Sequence, residues 1–422
     1  MECKGLSGRT YITMQSPFAG GGEGDIFRIE GNAQYVAKIY KLDKRTRERE
    51  RKLSVMVANQ PSVQNQYAWP IDVLYANGSF VGFVMPAISG KEKLRNIYVY
   101  DKRESKPWSL FIVIAKNLAA AVHNVHGIHQ VIGDLNPENI LVDPNNGMVT
   151  LVDTDSYHIS DTSRTYRCMV GMPEFIAPEL QGIHFPSAPL PTFTYSSDRF
   201  ALSVLIFALL MNGAHPFSCR VIGESSSQFQ PIDNMQKGRC AYFSDSHSYN
   251  LEIPRYSPEL SALPDNLQLL FRRAFVLGLN NPTQRPSAEE WYHALEQLED
   301  NLKICTNDSS HLYYYGLQKC PWCEVALKMR AVVQTPLASS NNKGTVLNSA
   351  HSNNPVTYHY VPSSATASTL QKANSSNPPP KKKSKLWIIV LVCSIIALIV
   401  ILSNWSSCYN CLMSPTVNSY DW

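Results

Sequence analysis

The segment with the most potential for chemistry is GDLNPENILVD at residues 133–143, which is followed by LVDTDSYHI at residues 151–159. Asp134 and Asn139 are five residues apart, and Asp153 follows Asp134 by 19 residues. An acid on a loop can accept a hydroxyl proton, and an Asn together with a second acid can hold Mg²⁺ against nucleotide phosphates. The spacing therefore predicts a site that handles phosphate groups.

Three features nearer the N-terminus fit the same chemistry. The stretch FAGGGEGDIF at residues 18–27 lets backbone N–H groups approach phosphates, although a Gly-rich hairpin turn would look the same. Lys38 ends a β-branched run 12 residues after Ile26, so it can face that loop; a solvated lysine on an edge strand is the alternative. Glu50, in a charged helical segment, can pair with Lys38, and Glu48 is its rival.

A second cluster of reactive side chains lies near residue 310. Its spacing is Cys305-x5-His311-x8-Cys320-x2-Cys323. Two thiolates two residues apart in a tight turn bind one metal, and the other two residues complete a tetrahedron. A redox pair is the alternative, but no thioredoxin-like βαβ pattern surrounds it. We expect structural Zn²⁺, because all four coordination positions are filled by protein.

The elements that must position these residues change in type along the chain. Strand-like runs come first and long helical patterns follow, from residue 1 to about residue 300. The strand-like runs are DIFRI, QYVAKIY and GSFVGFVM, and the helical patterns are SLFIVIAKNLAAAVHNVH, DRFALSVLIFALLMNG, DNLQLLFRRAFVLGL and AEEWYHALEQLEDNL. This order predicts an α+β architecture of two segregated lobes and argues against a doubly wound sheet.

The C-terminal quarter has a different composition. Residues 331–385 are rich in Ser, Asn, Thr and Pro, which predicts a disordered linker. The 17 residues Leu386–Leu402 carry no charge, and the apolar character reaches Trp405, which predicts a membrane helix over 386–405. Because the KKKSK run at 381–385 precedes it and no Lys or Arg follows, the large N-terminal part should lie on the cytoplasmic side.

Charge and cysteine content exclude other classes. The net charge is +4, but residues 331–385 contribute six Lys, and residues 1–330 sum to −1. The folded part therefore lacks the basic excess of a nucleic-acid binder. Ten cysteines scattered over 422 residues are too sparse for a disulfide scaffold, and the N-terminus shows no secretory h-region.

In their order along residues 14–300, these motifs resemble those of a protein kinase domain. Each motif alone is weak, but their ordered occurrence is specific. The sequence motifs are similar to those of a bacterial group of kinase-like proteins; they are GGGEGDIF, GDLNPENILV, VDTDSY, PEFIAPEL and CPWC. Some members of that group carry helix-hairpin-helix DNA-binding segments, but no such pattern follows residue 323.

The resemblance implies a role for each matching residue. In the N-terminal lobe it implies that ATP phosphates contact Gly20, Gly21, Gly22, Gly24 and Lys38, and that Glu50 pairs with Lys38. It also implies that Ile26 and Ala37 contact the adenine. Met85 would take the gatekeeper position, and the hinge would run from Pro86 to Ile88. In the C-terminal lobe it implies the catalytic base for Asp134, Mg²⁺ ligands in Asn139 and Asp153, an ion pair of Glu179 with Arg285, and an anchor for the catalytic loop in Asp198. It also implies ATP with Mg²⁺, or with Mn²⁺, as cofactors.

Several positions depart from the kinase pattern. Ala19 stands at the usual first loop glycine, and Ile132–Gly133 replaces a His-Arg pair, which removes the usual receiver of an activation-loop phosphate. Asn136 replaces the lysine that Ser/Thr kinases use to steady the transferred phosphate. Thr154 and Asp155 replace the Phe and Gly of the metal-binding triplet.

These observations predict a membrane-tethered, ATP-dependent kinase of protein hydroxyls, Ser or Thr by preference, in a bacterial inner membrane. The alternative is a pseudokinase, an ATP-binding signalling scaffold without phosphotransfer. The predicted segments are an N-terminal extension (1–13), the kinase domain (14–300), a zinc-binding segment (301–330), the linker (331–385), the membrane helix (386–405) and an extracytoplasmic tail (406–422). The partners expected are ATP, an unidentified protein substrate and the membrane, without nucleic acid.

Overall fold

The computed structural model describes residues 1–333, apart from 104–105, 191, 224–229 and 247. The predicted membrane helix and tail, and all but the first three residues of the predicted linker, lie outside the described residues. The described part contains a β-rich N-terminal lobe, a helical C-terminal lobe and a small segment after residue 300. The α+β arrangement of a bilobal kinase fold is therefore confirmed.

The N-terminal lobe is built on an antiparallel sheet of seven strands in the order β2-β1-β6-β7-β5-β4-β3. The strands are β1 (Glu2–Gly5), β2 (Thr10–Ile12), β3 (Ala19–Gly20), β4 (Gly24–Ile29), β5 (Asn32–Tyr40), β6 (Asp72–Ala76) and β7 (Ser79–Pro86). Residues 1–13, predicted as an extension, supply β1 and β2, because β1 pairs with β6 through Lys4 and Gly5.

Helix α1 (Arg47–Ala58) follows β5 and packs against β6 and β7. The Thr46 hydroxyl caps it by accepting from the Arg49 N–H at 3.2 Å. The helix is strongly polar, and three of its residues are buried: Lys52, Leu53 and Met56. Positions 52, 53 and 56 share one helical face, so the inward face of α1 carries a lysine beside two apolar side chains.

The C-terminal lobe is mostly helical. Its helices are α2 (Arg95–Tyr98), α3 (Tyr100–Arg103), α4 (Trp108–Gly127), α5 (Tyr195–Leu210), α6 (Pro231–Gln236), α7 (Asp265–Arg272), α8 (Gly278–Asn280) and α9 (Ala288–Glu299), and a π-helical turn at Arg273–Leu277 joins α7 to α8. Helix α4 packs against α5 and α9 at the centre of the lobe. Among the described helices, α4 alone has the length and apolar character of a membrane span, but more than half of that stretch is buried inside the protein.

Short strands support the loops of this lobe. They are β8 (Glu92–Lys93), β9 (Ile140–Val142), β10 (Val149–Leu151), β11 (Ile159–Ser160), β12 (Thr165–Tyr166), β13 (Arg220–Val221) and β14 (Leu251–Glu252). The β9–β10 hairpin pairs Leu151 with Ile140. The segment 133–139 therefore enters this hairpin and the segment 152–156 leaves it on the same side, which brings the two polar motifs together.

The segment after residue 300 forms strands β15 (Leu302–Ile304) and β16 (Leu312–Tyr314) and helix α10 (Pro321–Val333). It packs on the helical lobe through the indole rings of Trp322 and Trp108, whose centroids lie 5.3 Å apart. The Lys328 ammonium also lies 2.9 Å from the Glu259 carboxylate.

Candidate active site

The loop that carries Asp134 is held by a buried carboxylate. Asp198, in the first turn of α5, accepts the backbone N–H of Ile132 at 2.7 Å and that of Gly133 at 2.9 Å. Asp198 has no exposed surface, so these charge-assisted hydrogen bonds are shielded from water. Gly133 has φ +83°, and a Cβ there would lie 2.8 Å from the Cβ of Cys168. The tight loop therefore leaves no room for the arginine that this position often carries in kinases.

The Asp134 carboxylate accepts three hydrogen bonds from its surroundings. Donors are Asn136 Nδ2 at 2.7 Å, Asn139 Nδ2 at 3.3 Å and the Met172 backbone N–H at 3.0 Å. Asn136, which replaces a lysine of the kinase pattern, thus orients the acid two residues before it. The Val152 N–H donates to the Asn139 carbonyl at 2.9 Å, which brings Asn139 beside the residue that precedes Asp153.

Lys38 pairs with the DTD triplet, and the predicted pair with Glu50 is wrong. Its ammonium donates to both carboxylate oxygens of Asp155 at 2.8 Å and to Asp153 at 3.1 Å. The Glu50 carboxylate instead accepts from the Tyr75 hydroxyl at 2.8 Å. Because an Asp stands where the kinase triplet has Gly, the triplet itself brings a carboxylate to the lysine. The rival Glu48 makes no ion pair with Lys38 among the described residues.

The Lys38–Asp155 pair is buried, with 9% of Lys38 and 5% of Asp155 exposed. Burial opposes ionisation of Asp155, but the Lys38 ammonium outweighs it and lowers the pKa of this carboxyl below its usual value. The Tyr40 hydroxyl donates to Asp155 at 2.6 Å, so both oxygens of the acid have donors. Asp153 is more open, with 42% of its side chain exposed, and it retains room for a metal ion.

Two adjoining cavities lie between the lobes. The hinge cavity, about 880 Å³, is lined by residues that include Ile26, Val36, Lys38, Met85, Pro86, Ile88, Leu141 and Val152. The glycine-loop cavity, about 720 Å³, is lined by residues that include Gly20, Gly21, Gly22, Gly24, Lys38, Lys52, Asp153 and Asp155. The predicted nucleotide-contacting residues, other than Ala37 and Glu50, therefore border one continuous space beside Lys38.

The position predicted for Ala37 needs correction. Side chains alternate along β5, so Ala37 points away from the face that carries Lys38. Ala37 packs in the outer core of the N-terminal lobe with Ile39 and Val84. Val36, two residues before Lys38, lines the hinge cavity in its place.

Lys52 is a cavity residue that sequence reasoning missed. It is 7% exposed, and burial lowers the pKa of its ammonium to about 8. No carboxylate of the described chain lies within ion-pair distance of it. The 3.6-residue period of α1 was the available signal, because it puts position 52 on the same face as Met56.

Glu179 and Arg285 form a bidentate ion pair, with both carboxylate oxygens 2.7 Å from guanidinium nitrogens. Arg285 is 1% exposed and also donates to the carbonyls of Gly278 at 2.8 Å and Ser196 at 3.0 Å. This arrangement ties the segment around residue 179 to α5 and to the turn after α8. It supports the floor of the site without touching the cavities.

Cys305, His311, Cys320 and Cys323 converge in the segment after residue 300, with their ligand atoms all within 4.8 Å of one another. The Sγ atoms of Cys305 and Cys323 are 3.6 Å apart. His311 Nδ1 lies 3.5 Å from the Cys323 Sγ and 3.7 Å from the Cys320 Sγ. A tetrahedron with Zn–N and Zn–S bonds of 2.0–2.3 Å has edges of roughly 3.3–3.8 Å, and these three separations lie in that range.

Comparison with known proteins agrees with this geometry. The family model for the protein kinase domain matches residues 21–294. The chain is 34% identical to protein kinase YegI of Escherichia coli K12 over 316 residues, which cover 72% of this chain and 47% of YegI. The chain thus spans about half the length of that relative. It is also 32% identical to serine/threonine-protein kinase Sgk3 of Rattus norvegicus over 147 residues, which cover 34% of this chain and 26% of Sgk3.

The family match and the geometry concern the same residues. The match includes the glycine-rich stretch from Gly21 onward, the lysine of β5, the loop of Asp134, the DTD triplet and the Glu179–Arg285 pair. It covers more than half of the chain. Phosphoryl transfer requires an ordered lysine and a metal-binding acid, which here border the interlobe cavity, together with a loop carboxylate that accepts a proton, and the chain belongs to the protein kinase family.

Proposed function

We propose that this chain is an active kinase that transfers the γ-phosphate of ATP to Ser or Thr hydroxyls of a protein substrate. The observation that supports this most is that Lys38 and Asp153 line the glycine-loop cavity and contact each other. Asn139, whose side chain donates to Asp134, is held beside Asp153 because its carbonyl accepts the N–H of the residue before Asp153. An ATP-binding scaffold would need Lys38, Asn139 and Asp153 for the nucleotide and its metal ion, but it would have no use for Asp134 as a base.

Each residue has a distinct task in this proposal. Asp134 accepts the proton of the attacking hydroxyl, and its three donors hold the carboxylate in one orientation. Asn139 and Asp153 would hold Mg²⁺, or Mn²⁺, which when bound neutralises phosphate charge. Lys38 orients the phosphates, with Asp155 setting its direction.

The hinge cavity would take the adenine ring. Its walls are apolar at Ile26, Val36, Leu141 and Val152, which suits the faces of a planar base. Met85 is the last but one residue of strand β7, and Ile88 follows two residues after the end of that strand. We assign Met85 as gatekeeper and Pro86–Ile88 as hinge on this basis.

The enzyme assignment is tested by incubating the full chain with Mg²⁺, labelled ATP and a generic protein substrate such as casein. Asp134→Ala should abolish label transfer while ATP binding largely survives, because the base contacts the hydroxyl and not the bound nucleotide. Asp43→Ala, an exposed acid outside the cavities, is the matched control. Equal label transfer by the wild type and Asp134→Ala would contradict the kinase assignment and favour the scaffold function. Phosphotyrosine as the labelled product would overturn the Ser/Thr assignment.

The proposal includes a structural Zn²⁺ held by Cys305, His311, Cys320 and Cys323. Ligand number and spacing support it, since four protein donors leave no open position for substrate. Trp322, between Cys320 and Cys323, contacts Trp108 of α4. The ion would therefore fix α10 against the helical lobe.

The proposal also includes a membrane anchor at residues 386–405, with the kinase domain on the cytoplasmic side of a bacterial inner membrane. Sequence alone supports it: an uncharged run follows KKKSK. A flexible linker over 331–385 would have a root-mean-square span of about 40 Å and keep the kinase near membrane-bound substrates. Fractionation of the full chain beside a chain ending at residue 385 is the test, and a full chain that stays soluble would refute it.

A further inference from the structure

Lys52 is a buried cation that the assigned roles leave unused. Its side chain lines the glycine-loop cavity together with Gly20–Gly24, Lys38 and Asp155. Only 7% of the surface of Lys52 is exposed. Burying an unpaired ammonium costs desolvation free energy, so a buried lysine usually has a carboxylate partner close by.

The acids that line the cavity beside Lys52 do not pair with it. Asp155 accepts from Lys38 and Tyr40, and Asp153 accepts from Lys38. Glu48, one turn before Lys52 on α1, is exposed and forms no ion pair with it. Lys52 itself forms no ion pair or side-chain hydrogen bond among the described residues. An unpaired, buried ammonium that borders a cavity is positioned for an anion that enters the cavity.

The second acid of the triplet explains why an extra cation is useful there. The buried group of Lys38, Asp153 and Asp155 carries a net charge of −1 before a metal ion binds. Lys52 brings a second buried ammonium to the same cavity. In addition, Asn136 occupies the place of the lysine that steadies the transferred phosphate in Ser/Thr kinases. Arg167 of the C-terminal lobe also lines this cavity, but its guanidinium donates to the backbone carbonyls of Phe185 and Ala188.

We propose that Lys52 of α1 binds the terminal phosphates of the nucleoside triphosphate, as a second phosphate-binding lysine beside Lys38. Helix α1 thus contributes a cation to the ligand, and Asp155 takes over the orientation of Lys38. This inference rests on the proposed ATP-dependent function. It predicts that Lys52 distinguishes nucleotides by their phosphate chain and has no effect on recognition of the base.

The test is calorimetric titration of the full chain with ATP, ADP and adenosine at saturating Mg²⁺. Lys52→Met removes the charge at nearly constant volume, and Arg47→Met is the matched control, because Arg47 is exposed on the same helix. We expect Lys52→Met to weaken ATP binding roughly tenfold or more and ADP binding less, as loss of a hydrogen bond to a charged group does. Adenosine affinity should stay within about twofold, and Lys52→Arg should retain most of the ATP affinity.

Each contrary result has a separate meaning. If Lys52→Met weakens ATP and adenosine equally, or leaves ATP affinity unchanged, Lys52 is a structural residue and the inference is wrong. A wild-type chain that binds no nucleotide would overturn the proposed function together with this inference. Thermal unfolding checks the fold of Lys52→Met and of Lys52→Gln, a second neutral variant; replacing an unpaired buried charge should not lower the unfolding temperature.

Discussion

Lys38 donates to both carboxylate oxygens of Asp155 at 2.8 Å, which joins strand β5 directly to the third residue of the DTD triplet. Both side chains are buried, so the charge-assisted hydrogen bonds are not screened by bulk water. The lysine therefore takes its orientation from the same segment that carries the metal-competent acid. Movement of helix α1 would not by itself release it.

Asp155→Asn tests this coupling. The amide can accept from only one side, so Lys38 loses a charged partner and phosphate positioning weakens. We expect initial rates of transfer from Mg²⁺-ATP to fall about 10–100-fold, the equivalent of about 1.5–3 kcal/mol. Glu50→Gln is the matched control and should stay within about twofold, because Gln can still accept from Tyr75. Comparable losses of transfer rate in Asp155→Asn and Glu50→Gln would indicate that Glu50 also orients Lys38.

Asp198→Asn tests the support of the catalytic loop. The amide offers one acceptor oxygen, whereas the carboxylate accepts from Ile132 and Gly133 with separate oxygens. A buried N–H would be left without an acceptor, and we expect the free energy of unfolding in urea to fall by about 2–4 kcal/mol. Asp265→Asn, at an exposed position in the first turn of α7, should cost less than about 1 kcal/mol. Equal costs would show that the carboxylate does not support the loop.

Local sequence patterns predicted the parts of the site that lie close together along the chain. The spacing from Asp134 to Asn139 fits one loop entering the β9–β10 hairpin, and that hairpin brings Asp153 alongside. The partner of Lys38 could not be read in this way, because it depends on which of several acids the two lobes bring to one ammonium. The outward orientation of Ala37 was available from strand alternation, once Lys38 was assigned to the cavity face.

Arg285→Lys tests the buried ion pair. Lysine cannot reproduce the two parallel hydrogen bonds to Glu179 or the bonds to the Ser196 and Gly278 carbonyls. We expect a loss of about 2–4 kcal/mol in the free energy of unfolding. Arg272→Lys is the matched control, since its pair with Asp245 is exposed and should contribute less than about 1 kcal/mol. A cost below that of the control would contradict the structural role.

His158 should make stability depend on acid pH. It is 3% exposed and accepts the Cys168 N–H through Nδ1 at 3.3 Å, and burial, assisted by the Lys52 charge, lowers its pKa from 6.5 to about 4. Between these values the unfolded chain binds a proton that the folded chain excludes. Stability is therefore full above about pH 6.5 and declines as the pH falls toward about 4.

Urea unfolding at several pH values measures this effect. His158→Gln can still accept from Cys168 and should flatten the slope between pH 4 and 6.5 by up to one proton. His293→Gln, on the exposed face of α9, is the control and should keep the wild-type slope. An unchanged slope in His158→Gln would show that another group accounts for the acid sensitivity.

The zinc cluster predicts one Zn²⁺ per chain by metal analysis of the purified protein, and loss of that ion in the Cys320→Ser, Cys323→Ser double variant. Structural zinc stabilises its own segment, so the variant should become protease-sensitive between residues 301 and 333. Helix α10 would also separate from α4, and the tryptophan fluorescence of Trp322 and Trp108 should change. Cys3→Ser, a buried cysteine of β1 far from the cluster, should retain the ion. Purified wild-type chain without zinc would refute the site, and zinc retained by the double variant would place the ion elsewhere.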